Sequence, residues 1–214
     1  MLLPALSKAR AAAQAIKCKS NMKQMGLGYA LYGHDYDDQV IPTMIVNYPT
    51  YYYWFSLNPI INNTILTEAE FNAKGAGYKA IAMCPSISED NSNQGVGYRS
   101  NAWTSYSFYY PAKTLASFSS PSTTVCMFDG AAESAISWCG VSAALGADTY
   151  KYAFYVHSGR NNILFHDGHV DDITWDEGKA AHEASDKATG TLRWIDNNDV
   201  ANIKSIADGL YQWQ

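Results

Sequence analysis

The sequence has no apolar run long enough to cross a membrane and no basic-then-apolar leader, so as written it reads as a soluble chain. It also lacks acidic residues over its first 34 positions: Lys8, Arg10, Lys17, Lys19 and Lys23 all precede Asp35. Within an overall charge of −5, the N-terminal segment therefore carries five positive charges and the rest of the chain a net ten negative. Such a basic end suits either an anionic surface such as lipid headgroups or an ordinary solvated helix face. With no second basic patch and an acidic body, the sequence argues against nucleic-acid binding. Its four cysteines, Cys18, Cys84, Cys126 and Cys139, form no CxxC pair and no clustered Cys/His spacing, which argues against a zinc-stabilised fold. Disulfides stay open, and four cysteines allow three pairings. A Gly-x-Ser-x-Gly elbow, a phosphate-binding Gly-Lys-Ser/Thr loop and a Gly-x-Gly-x-x-Gly turn are all missing. The sequence thus offers no catalytic constellation, and no enzyme is expected.

What is present is a 214-residue chain, long enough for one domain with a sizeable core, with 47% hydrophobic residues, 16 Tyr and 6 Trp. That aromatic excess over a charged fraction of 16% favours strands. The opening "MLLPALSKARAAAQAIKCKSNMKQMGLGYALYGHDYDD" is helical in composition. Ala11, Ala15, Cys18, Met22, Met25, Tyr29, Tyr32 and Tyr36 recur at three-four spacing, so Cys18, Met22, Met25, Tyr29 and Tyr32 should form a docking face. Gly26, Gly28 and Gly33 should weaken the helix toward its end, and "HDYDD" before Pro42 should close it. At the front, Leu2, Leu3 and Leu6 crowd around Pro4 with no capping residue ahead of them, so the chain is expected to begin inside a longer apolar helix.

Further on, Thr67 and Glu70 fit a capping box, and the run around Tyr51–Tyr53 suits a strand covered on both faces. From about Ala80, short β-prone runs alternate with turn residues: "AIAMCPS", "YSFYYP", "TTVCMFDG", "YKYAFYVH", "NNILFHDG" and "HVDDITW". This spacing fits antiparallel strands. The tail from Asp176 is polar, with a helix candidate around 198–211.

The stretch "HSGRNNILFHDGHV" (157–170) holds three histidines and an Asp-Gly pair. Asp167-Gly168 between two β-prone runs predicts a hairpin with a two-residue type I′ turn, which would set His166 opposite His169 and Phe165 opposite Val170. His157, Asp167, Gly168 and His169 are therefore read first as a structural motif, with His157 able to hold Asp167 by a hydrogen bond. No cofactor is expected. A divalent cation held by His157, Asp167 and His169 is the remaining option, if the "SGRNN" turn brings His157 back across the sheet. The His34-Asp35 and His166-Asp167 doublets resemble the His-Asp metal phosphohydrolases only weakly, because there the doublet lies in a helical bundle.

The opening segment resembles bacterial pseudopilin-like proteins with a prepilin-type N-terminus, relatives of the type II secretion pseudopilins. The resemblance rests on the run from Leu2 to Arg10, then Cys18, Asn21, Lys23, Gln24 and Gly26. The "His, nine residues, Asp-Gly" signature of His157 and Asp167-Gly168 adds to it, as do Cys84-Pro85-Ser86, Tyr98 with Asn101, and "PSTTVCMFDG" (121–130). His166 departs from the pattern, where a small residue is usual, and the leader, processing site and most of the anchor are missing. The resemblance implies a pilin-like α+β fold, with a long N-terminal helix (1–36) on the antiparallel sheet of a β-rich domain (37–214). It implies a non-enzymatic pseudopilus subunit of the cell envelope, inner-membrane-anchored in full length. Its expected partners are other pseudopilin subunits and, for the precursor, a prepilin peptidase that cuts it before N-terminal methylation. In that setting a Cys18–Cys84 disulfide is one possibility and two buried thiols the other. Two alternatives from other classes are an exported binding protein with an aromatic surface for carbohydrate, and a metal-dependent hydrolase using His157, Asp167 and His169.

Overall fold

The computed structural model describes residues 2–41, 44–45, 48–52, 57, 60–61, 81, 84–86, 98–101, 113–130, 136–137 and 155–183. The architecture is α+β. The long helix α1 (Leu2–Asp35) lies on a sheet whose strands are β3 (Tyr98–Asn101), β4 (Val125–Asp129), β5 (Ile136–Ser137), β6 (Arg160–Phe165) and β7 (Val170–Thr174). The spatial order is β5-β3-β4-β6-β7: the ladder from β3 through β7 is antiparallel, and the two-residue β5 adds a parallel edge beside β3. A separate antiparallel pair joins β1 (Met44–Ile45) to β2 (Tyr48–Tyr52). No helix among the described residues is long and apolar enough to cross a membrane.

α1 has two regimes. From Pro4 to Ala13 every residue is exposed; from Cys18 onward one face is buried against β6 and β7. Cys18, Met22 and Met25 are fully buried, Tyr29 nearly so, and Tyr32 partly, in one cluster with Ile41, Leu57, Cys84, Tyr98, Cys126, Met127 and Leu164. Tyr36, the last position of the stripe, instead lies exposed and stacks on Tyr32, ring centroids 4.4 Å apart.

The glycines do not weaken the helix as expected from propensity. α1 runs through Gly26, Gly28 and Gly33, because the first two let it approach its neighbours. A Cβ at Gly26 would stand 2.9 Å from Leu164 Cδ1 and 3.3 Å from the Gly168 carbonyl oxygen. The helix ends in a Schellman motif: Asp37 takes the left-handed conformation (φ 52°), and the Asp38 N–H donates to Gly33 O at 2.7 Å. The short Asp side chain tolerates this φ better than most non-glycine residues.

The 166–168 turn corrects the expected hairpin by one residue. Leu164 pairs with Val170, the Phe165 N–H donates to His169 O at 3.0 Å, and the Gly168 N–H donates to Phe165 O at 3.0 Å. The loop is therefore three residues, His166-Asp167-Gly168, and Gly168 alone has positive φ (86°), as in a type I turn closed by a glycine bulge. The Asp167 carboxylate accepts the His169 N–H at 3.1 Å, an Asx-type bond that supports this turn.

Three other expectations change. Within "AIAMCPS", Ile81 is helical and Cys84 leads into a turn at Pro85 and Ser86 rather than lying in a strand. The described end of "YKYAFYVH" is a turn with an isolated bridge between His157 and Arg160. The polar tail, for which a helix was expected only around 198–211, begins with a helix, α2 (Trp175–Glu183), whose start is a capping box. There the Thr174 N–H donates to Glu177 Oε2 at 2.7 Å, and the Glu177 N–H donates to Thr174 Oγ1 at 3.3 Å. The Thr67–Glu70 box, "YSFYYP" and the 198–211 helix fall outside the described residues.

Candidate functional site

His157 does not meet Asp167 and His169. It precedes β6, whereas Asp167 and His169 lie in the turn beyond the far end of that strand. The Asp167 carboxylate bonds the imidazole and backbone N–H of His169, whose ring stacks flat on Phe165 at 4.2 Å. His166 turns the opposite way, is buried, and stacks on Phe118 at 4.2 Å. The triad considered from sequence for a cation or for hydrolysis is thus split between two places.

His157 instead meets three buried residues from three other segments. Its Nε2 lies 3.2 Å from Cys84 Sγ and 3.1 Å from Asp129 Oδ2. Asp129 Oδ1 accepts from Cys18 Sγ at 3.1 Å. Cys18, Cys84 and Asp129 are fully buried and His157 nearly so. Cys18 and Cys84 are free thiols in this structure. The two sulfurs that a disulfide would join are thus neighbours but unbonded, and both face a carboxylate and an imidazole.

Each donor is fixed by the element that carries it. Cys18 is the first fully buried position of α1. Asp129 ends β4, opposite β6, where its Oδ2 also accepts the Asn162 N–H at 3.0 Å and its carbonyl accepts Asn161 Nδ2 at 2.6 Å. His157 is held by the tight 157–160 turn, in which Ser158 and Gly159 both adopt positive φ. Cys84 enters on the turn with Pro85 and Ser86, whose Oγ lies 3.5 Å from His157 Nδ1. The Tyr98 hydroxyl, 3.2 Å from Cys18 Sγ and 3.4 Å from Cys18 O, closes the remaining side.

The electrostatics are those of a compact, strongly coupled group. Burial pushes the Cys18 thiol well up, reinforced by its hydrogen bond with Cys84. For Cys84 the hydrogen bond from Cys18 outweighs burial, and with His157 beside it the thiol falls to about 7. Burial disfavours the His157 imidazolium, but the hydrogen bonds to Asp129 and Cys84 overcome it and raise its pKa to about 9.

A thiolate beside an imidazolium is the pairing a cysteine nucleophile needs, yet this arrangement does not suit nucleophilic catalysis. Asp129 and Cys84 address the same ring nitrogen, whereas an orienting carboxylate belongs on the other one. The sulfurs are also sealed from solvent. What the arrangement can do chemically is share one small partner: one atom from each of Cys18, Cys84, Asp129 and His157 falls in a group whose members all lie within 4.8 Å of one another.

Sequence reasoning singled out three of these four residues, but in different roles, and missed Asp129. The signal was an Asp closing the otherwise apolar run "VCMF", a residue type depleted from strands. The binding-protein alternative needs clustered exposed aromatics. Among the described residues the exposed large hydrophobics include two aromatics, Tyr36 and Trp175. Compared with protein-family models, with curated proteins and with solved structures, the chain gives no match.

Proposed function

We propose that this chain is a non-enzymatic assembly subunit of a pseudopilus-like structure in the cell envelope, joining its neighbours through α1. The observation that carries this reading is a second apolar stripe on the helix. Leu6 (68% exposed), Ile16 (70%), Leu27 (62%) and Leu31 (44%) all fall within an arc of about 80° at 3.6 residues per turn. That arc lies on the side of the helix away from Cys18, Met22, Met25 and Tyr29. Ala9 and Ala13 lie on the same side and are exposed as well, which permits close approach of another helix.

One apolar face suffices to dock a helix on its own domain, so a second is without purpose in an isolated subunit. Exposed Lys8 and Arg10 sit on the projecting half, where a helix leaving an anionic membrane surface would carry them. The Leu2–Gly26 and His157-to-Gly168 resemblance to pseudopilins supports the same reading. Its partners are then copies of itself or related helical subunits.

A photoreactive residue placed at Ile16 or Leu27 of the full-length protein in its own cells tests it. Adducts with the protein itself or with other subunits bearing such a helix are expected. Absence of adducts at both positions, with adducts retained at an unrelated exposed site, would contradict the assembly role.

A further inference from the structure

The four-residue group joining α1 to the sheet has a shape that hydrogen bonding alone does not account for. Four donors of the types that ligate borderline-soft divalent cations, two thiols, one imidazole nitrogen and one carboxylate oxygen, converge on one point from four separate chain segments. A single His157 nitrogen faces both Cys84 Sγ and Asp129 Oδ2, although it can make only one good hydrogen bond. Tetrahedral coordination with bonds of about 2.0–2.3 Å sets neighbouring ligand atoms about 3.3–3.8 Å apart. Here Cys84 Sγ and His157 Nε2 are 3.2 Å apart, and Asp129 reaches Cys18 Sγ through Oδ1 and His157 Nε2 through Oδ2 at 3.1 Å each. One atom from each of the four residues lies within 4.8 Å of the others, so small side-chain adjustments bring four donors to coordination distance.

We infer that Cys18, Cys84, Asp129 and His157 form a four-coordinate structural site for a divalent cation of the zinc class. The surrounding groups act as the orienting layer such sites need. The Asn162 N–H holds Asp129 Oδ2, the Tyr98 hydroxyl flanks Cys18 Sγ, and Ser86 Oγ stands at the second nitrogen of His157. Two thiolates and a carboxylate leave the loaded site with one net negative charge, which Tyr98 and the Asn162 amide face as donors. Full burial and four protein ligands leave no open position, so the ion staples and does not catalyse.

The rival occupant of the same place is a Cys18–Cys84 disulfide. It would consume both sulfurs and leave Asp129 Oδ1, now bonded to Cys18 Sγ, buried without that donor. The metal uses all four groups. This inference does not depend on the assembly role of α1: it concerns how the helix is fastened to its sheet.

The test is elemental analysis of the full chain purified without chelator, followed by Co²⁺ titration of the stripped protein. Close to one zinc per chain is expected. Co²⁺ should give a thiolate-to-metal charge-transfer band and intense tetrahedral d–d bands, displaced by Zn²⁺ and unaffected by excess Mg²⁺ or Ca²⁺. Cys84→Ala should leave about half the charge-transfer intensity, since one thiolate remains. Asp129→Asn should keep the thiolate band but weaken Zn²⁺ affinity by about tenfold or more. Should either variant fail to fold by circular dichroism, the wild-type Co²⁺ spectrum decides alone. The inference is overturned by zinc bound without a thiolate band, by no binding at micromolar Zn²⁺, or by a Cys18–Cys84 disulfide in protein alkylated at lysis from its native cells.

Discussion

Asp172 shows how little of a surface charge's role is visible in sequence. Its carboxylate meets Lys19 Nζ at 2.7 Å and Arg160 Nε at 2.7 Å, bridging α1 to the far strands of the sheet. Partial burial alone would raise its pKa, but the hydrogen bonds from Lys19 and Arg160 outweigh it and hold the group below the usual carboxylate range. A lowered folded-state value means the stabilisation is present above the unfolded pKa and is lost as pH falls through the folded one. Because the pair is partly solvated, Asp172→Asn should cost at most about 1 kcal/mol at neutral pH. The gap from wild type in urea unfolding should shrink as pH drops below about 3.9, and a gap independent of pH would contradict the bridge. Asp167-Gly168 was legible as a hairpin because the pair demands a turn. Its three-residue length was not, because Asp-Gly suits a two-residue type I′ turn and a three-residue turn with a glycine bulge alike.

Among elements, α1 was the most legible, since three-four spacing of Cys18, Met22, Met25 and Tyr29 is a direct image of burial on one side. β4, β6 and β7 were legible from their β-prone runs between turn residues. Gly26 was misread because propensity treats glycine as a weakness, whereas contact with Leu164 and the Gly168 carbonyl makes its missing side chain a requirement. Gly26→Ala in a free helix would gain about 1 kcal/mol from propensity. Here overpacking of about 1–3 kcal/mol opposes that gain, so the variant should melt below wild type, and a raised melting temperature would contradict the close helix–hairpin fit. α2 was missed although Thr174 and Glu177 spell its capping box, because the polar residues after Asp176 carry no apolar periodicity to draw attention to it.

At the scale of the whole molecule, α1 carries two opposed apolar faces: one closes the core and the other, from Leu6 to Leu31, faces outward. The helix and the antiparallel strands follow from composition and periodicity, and their assembly as a helix on a sheet is what the pseudopilin resemblance implies, but the Cys18, Cys84, Asp129 and His157 group follows from neither. Its members come from a helix, a turn, a strand end and a strand entrance, so no short spacing announces them. The outward face gives the chain its proposed task, and the pseudopilin reading makes a specific demand on the native protein. The deciding measurement is mass spectrometry of the N-terminal peptide from the native host. The assembly account requires a methylated N-terminus followed by an apolar segment that runs into "MLLPALSKAR", whereas an unmodified terminus at or near Met1 would contradict it.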